Sequence, residues 1–286
     1  MLLTGLLFVG VNAGVKLVGD GVPAVQSAFL RYFLGLVFFL PILTSLLRPA
    51  LSAQIWALLG VRSLVHALGV AFWFYAMTQL PLIEVTAMGY LGPIFITVGA
   101  ALFLGERLRA RRIVAIVAGL VGAWVILRPG FREISGGHLA MLVNVVAFSA
   151  SYLIAKRLSG ALPAAVTVAY LSVGVAIALA PMALAVWVPP TPWQLFLLFM
   201  VAAFATAGHY TMTLAFAAAP ISVTQPVTFL QLVWATLLGL MMFAEPIDPW
   251  VLAGGAIIIA AVSFISLREA QLRRRSLTPP ADATKM

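Results

Sequence analysis

Cysteine is absent from the 286 residues, and histidine occurs only three times. Disulfides, thiolate catalysis and cysteine-ligated metal are therefore excluded. Acid is scarce as well, with eight Asp and Glu residues in all. His66, His138 and His209 fall on separate segments, and no HExxH or DxxD pattern joins them to a carboxylate, so no catalytic and no metal-binding residues are assigned. There is no phosphate loop and no soluble stretch long enough to fold as a nucleotide-hydrolysing domain, which removes an ATP-driven pump from this chain. No cofactor is implied.

Charged residues of either sign make up 9% of the chain, against about a quarter in soluble domains. What is present instead is apolar: 63% of residues are hydrophobic and the mean hydropathy is +1.11. A water-soluble particle of this size could not cover so much apolar surface, so the solvent is lipid. The net charge of +9 sits in short runs between apolar segments. That is the bias of cytoplasmic loops, and nucleic acid is not expected as a partner. The segment Leu2–Val18 lacks a basic leader and an A-x-A site, and reads as a retained helix.

A bilayer is crossed by about twenty helical residues. Breaking the apolar runs at charge, proline and glycine gives ten spans. They are Leu2–Val18, Val25–Leu47, Trp56–Gln79, Leu82–Leu104 and Ile113–Leu127, followed by Gly137–Ala155, Ala164–Val188, Trp193–Ala218, Ile221–Phe243 and Trp250–Leu267. The stretch Met77–Leu108 returns as Phe216–Ile247: Pro81 answers Pro220 and Glu106 answers Glu245, both 139 positions apart. The chain thus reads as two copies of one half, residues 1–130 and 131–268, with 269–286 as a disordered cytoplasmic tail.

With the N-terminus placed inside, twelve Lys and Arg residues fall on the cytoplasmic side and four, Lys16, Arg31, Arg128 and Arg132, outside. Arg62 lies within a span. Both termini are accordingly expected in the cytoplasm. Since each half has an odd number of spans, the second half inserts upside down relative to the first, the plan of inverted-repeat carriers. Trp56, Trp187, Trp193 and Trp250 fall where interfacial anchors belong.

A proline-led helix closing in Gly105-Glu106-Arg107-Leu108, with a degenerate copy at Phe243-Ala244-Glu245-Pro246-Ile247, resembles the EamA-type transporters of the drug/metabolite transporter superfamily. The resemblance runs from Leu2 to Leu267. It implies an all-α integral membrane protein of ten transmembrane helices, two inverted five-helix repeats around a central cavity, working by alternating access on small organic solutes. Members of this family both export and import. Small multidrug-resistance relatives carry a glutamate in the first helix, and this chain has none there.

Polar side chains at membrane depth mark the expected site. The first span offers Asn12 and Lys16, the third His66 and Trp73, and the fourth Thr86, Tyr90, Pro93 and Thr97. Tyr152 comes from the sixth, His209 and Tyr210 from the eighth, and Gln231 from the ninth, beside Thr224, Gln225, Pro226 and Thr228. The residues expected to bind substrate are Asn12, Lys16, His66, Trp73, Tyr90, Tyr152, His209, Tyr210 and Gln231. Arg62 has two readings, snorkelling to the headgroups or facing the cavity. Glu84, the one acid within a span, is expected to reach the interface, and Glu106 and Glu245 are read as packing and capping groups. The function expected is a secondary carrier in the cell inner membrane, moving an amino acid or similar amphipathic solute with export favoured. An importer of the same fold or a membrane-embedded enzyme are the alternatives. Its partners are the small-molecule substrate and the lipid bilayer; a monomer is expected to function, with a dimer left open.

Overall fold

In the computed structural model the described residues are 2–42, 51–104, 110–131, 133–158, 161–218 and 230–277. Among them the regular elements are helices: α1 (Leu2–Val18), α2 (Ala24–Gly35), α3 (Ala53–Gln79), α4 (Leu82–Gly89), α5 (Gly92–Leu104), α6 (Ala110–Leu127), α7 (Gly136–Leu158), α8 (Ala164–Ala185), α9 (Pro192–Ala218), α10 (Leu230–Phe243) and α11 (Pro249–Leu277). Proline sets several starts. Pro23, Pro81 and Pro163 precede α2, α4 and α8, and Pro192 and Pro249 open α9 and α11, positions where the missing N–H costs no helical bond.

Six helical segments are long and apolar enough to cross a bilayer, and four shorter apolar helices fall in the fourth, fifth, ninth and tenth expected spans. Three expectations need correction. The fourth span is not one helix but two, α4 and α5, parted at Tyr90–Leu91. The second passes from α-helix into a 3-10 segment over Leu36–Ile42, where Pro41 removes a donor. The last helix continues to Leu277, into the stretch read as a tail. Glu106, Pro220, Thr224, Gln225, Pro226, Thr228, Arg132 and residues 278–286 lie outside the described residues.

Large apolar side chains cover the outside: Trp124 is 66% exposed, Ile177 68% and Met241 80%. In water such a surface would drive association; in lipid it is the solvated face. The packing is mainly between the two halves. The contacts of α1 with α9, of α3 with α8 and of α5 with α7 have counterparts in α7 with α3, α9 with α2 and α10 with α1. The pairs α2 with α8, α4 with α10 and α6 with α11 each join one segment to its counterpart. These pairings are kept when the first half of the chain is exchanged with the second, whereas those of α2 with α3 and of α4 with α11 have no counterpart of similar extent among the described residues.

The α6–α11 crossing shows this exchange in detail. A Cβ on Gly122 would stand 2.7 Å from the Gly254 carbonyl oxygen and 2.7 Å from Ile258 Cγ1. One on Gly254 would stand 2.5 Å from the Gly122 carbonyl oxygen and 2.6 Å from Ile126 Cγ1. Only glycine lets the two backbones meet here, as small residues do in membrane helix pairs. At the far end of α6, Arg128 forms an ion pair with Asp248 at the start of α11 and lies over the Trp250 ring. Gly122→Ala is expected to destabilise the protein by about 1–3 kcal/mol, because backbone must move. Gly60→Ala, where nothing lies within 4 Å, should be neutral. Thermal unfolding in detergent compares them, and equal midpoints would contradict the packing described.

Candidate functional site

The break between α4 and α5 is where the site begins. Pro93 has no N–H for the carbonyl of Gly89 four residues back, and its ring would strike that carbonyl in a continuous helix. The chain instead tightens into a turn: the Tyr90 amide donates to Ala87 O at 3.2 Å and Leu91 to Met88 O at 3.0 Å. Helix resumes as Ile94 and Phe95 both donate to Leu91 O. The Ser149 hydroxyl on α7 shares its hydrogen between the Val145 carbonyl of its own helix at 2.7 Å and the Gly92 carbonyl at 3.1 Å, which brings the turn against the opposite half.

A cavity of about 320 Å³ lies against this turn, with Gly89, Tyr90 and Gly92 in its wall. That is within the usual range for small-ligand sites. α3 contributes His66, Val70 and Trp73, one helical face. Asn144, Phe148, Ser149 and Tyr152 come from α7, again on one face, and Asn12 from α1. His209 of α9 and Gln231 of α10 complete the expected set. The polar groups are held in place. His66 Nε2 lies 2.9 Å from the Tyr32 hydroxyl and Nδ1 3.1 Å from Ser151 Oγ, while its ring stacks on Phe148 at 4.6 Å. Asn144 donates to the Gly69 carbonyl at 2.9 Å.

Of the nine residues expected to bind substrate, all line this cavity except Lys16 and Tyr210. Tyr210 is 65% exposed and faces outward. Lys16 donates to the Leu80 carbonyl at 3.0 Å and pairs with Glu245. The other Glu245 oxygen accepts the Leu82 amide at 2.8 Å, capping α4. The capping role read for Glu245 thus appears, with Lys16 as its counter-charge. Together the pair ties the ends of α1 and α10 to the α3–α4 link.

Two further expectations change. Arg31, counted among the outer-loop charges, lies inside α2 and lines the cavity with Tyr32. Glu84 does not reach the interface: it is 4% exposed and meets His138. The Ser135 amide donates to His138 Nδ1 at 3.1 Å, so Nε2 carries the hydrogen that reaches Glu84 Oε2 at 2.9 Å. Neither residue is in the cavity wall. Arg31, Tyr32, Asn144 and Phe148 were missed; a charge or an amide well inside an apolar run was the available signal.

The sequence profile of the EamA-like transporter family matches residues 1–128 and again 135–267. The chain belongs to that family. It is similar to a riboflavin transporter of Rhizobium johnstonii, 32% identical over 261 residues, 88% of this chain and 84% of that protein. A riboflavin transporter of Vibrio cholerae is 31% identical over 285 residues, 96% of this chain and 94% of the relative. An S-adenosylmethionine uptake transporter of Rickettsia prowazekii is 25% identical over 254 residues, 89% and 86%. The family and the names of these relatives indicate a small-molecule transporter rather than an enzyme, in keeping with the apolar helices of a multi-pass membrane protein.

The buried Glu84–His138 contact predicts a stability phenotype. His138→Phe removes a donor to a buried carboxylate and is expected to cost about 1.5–3 kcal/mol in thermal unfolding. Glu84→Gln keeps an acceptor oxygen there, and its transport should stay within a few-fold of the parent. Abolished transport in a well-folded Glu84→Gln protein would contradict a structural role.

Proposed function

We propose that this chain is a secondary carrier of a planar, ring-bearing organic solute, held between two inverted five-helix halves and released to either side of the cell inner membrane. The observation that carries the reading is the composition of the cavity wall. Trp73, Tyr90, Phe148 and Tyr152 bring aromatic rings to the wall, and Asn12, Asn144 and Gln231 bring amides, drawn from both halves of the chain. Rings stack on aromatic faces, and amides read the polar edge of a heterocycle. Riboflavin and S-adenosylmethionine, the solutes in the names of the relatives, each carry a planar nitrogen heterocycle. This sharpens the amino acid first expected to a heteroaromatic solute.

The ten-helix inverted repeat is supported by the twofold profile match and by neighbours that survive exchange of the halves. Residues 1–130 and 131–268 would then rock about the cavity, with α4 and α5 able to move separately at their break. The N- and C-termini belong in the cytoplasm by the loop charges, and among the described residues one chain supplies the cavity wall. Relatives are named both for uptake and for export, and the carrier is proposed to exchange solute in either direction.

Tyr90→Ala and Gln231→Ala should each weaken solute affinity by roughly five- to 150-fold, the loss expected for a stacking or hydrogen-bonding contact of about 1–3 kcal/mol. The measurement is exchange of riboflavin and S-adenosylmethionine in proteoliposomes without ATP. Leu240→Ala, 48% exposed on α10, serves as control and should behave as the parent. Normal affinity in both cavity variants would make the polar wall helix packing and place the site elsewhere.

A further inference from the structure

Beside the main cavity lies a second, of about 190 Å³, lined by α2 and the 3-10 segment after it, α3, α7, α8 and α9. The two share Arg31, Tyr32, His66, Tyr152 and His209, so they adjoin along these side chains. Arg62 lines only the second. It is 6% exposed; Nη1 donates to the Thr167 carbonyl at 3.3 Å, and Nε is buried with no hydrogen-bond partner. Arg31 lies over the Tyr32 ring, 4.2 Å from its centre. Among the described residues no aspartate or glutamate lines either cavity.

A buried cation without a counter-ion is strongly disfavoured, and chains that keep one pair it or use it for function. Arg62 is 6% exposed and lines this cavity, with one guanidinium nitrogen on the Thr167 carbonyl in the first turn of α8. A carbonyl and a tyrosine face orient the two guanidinium groups and leave their charge for an anion. We infer that Arg31 and Arg62 form an anion subsite at the end of the ring-walled cavity, and that the transported solute carries a carboxylate or phosphate beside its ring. The inference rests on the carrier reading and narrows its substrate to aromatic anions. A lipid headgroup would offer the same chemistry, but the subsite shares five wall residues with the solute cavity, which favours a solute.

Two matched pairs test this on the full-length protein in nanodiscs of phosphatidylcholine: riboflavin 5′-phosphate against riboflavin, and 1-naphthoate against 1-naphthamide. The anion should bind about tenfold more tightly than its neutral counterpart, the effect of a charge-assisted bond. Arg31→Gln and Arg62→Gln should each narrow that ratio to within about twofold. Arg62→Lys, which keeps charge but not the fork, should fall between and covers the case in which the glutamine variant fails to fold. A ratio near one while riboflavin or 1-naphthamide still binds removes the anion subsite and leaves the carrier standing. A preference that survives both glutamine variants, or that vanishes when phosphatidylglycerol is added to the disc, also overturns it, the latter assigning the arginines to lipid. Failure of every probe to bind would remove the anion subsite and the ring-walled site together.

Discussion

Inside a bilayer no water is available, so every polar group must find its partner within the chain or face an enclosed cavity. This constraint sorts the polar residues of the protein into two sets. One set closes on itself as clamps at helix ends: Lys16 with Glu245, Arg128 with Asp248, and His138 with Glu84. The other gathers around the cavity, where His66, Asn144 and Ser149 are each fixed by a hydrogen bond that crosses between elements. The clamps hold helices from opposite halves; the cavity is what they enclose.

The same constraint explains which parts of the fold were legible. The apolar helices fall where hydropathy puts them, and seven of the nine expected site residues line one cavity. Facing could not be read so easily. His209 and Tyr210 are neighbours on one helix and point about 100° apart; here His209 lines the cavity while Tyr210 is 65% exposed, a choice that polar type alone does not reveal. Lys16 sits on α1 four residues after Asn12, the same face, yet a turn further along it reaches the α3–α4 link rather than the cavity. Arg31 was lost to a topological count that treated every cation near a span end as loop charge. Charge bias orients a chain but does not locate individual side chains.

The broken fourth span shows how local chemistry becomes functional geometry. Gly89, Gly92 and Pro93 prevent a continuous helix, and the resulting turn delivers Tyr90 and two backbone segments to the cavity. An unbroken helix would present a smooth apolar face there. Family membership states that the chain is a transporter; the ring faces, amides and arginines around this turn are what argue for a particular class of solute.

The central claim is that this cavity is a solute path reached from both sides in turn. Thiol accessibility tests it directly, since the chain has no cysteine of its own. Ser149→Cys places one thiol on the cavity wall in sealed membrane vesicles of either orientation, where a membrane-impermeant reagent can be applied to each face. The account predicts labelling from both faces, slowed by bound solute. Labelling from neither face, or from one face only under all conditions, would contradict it.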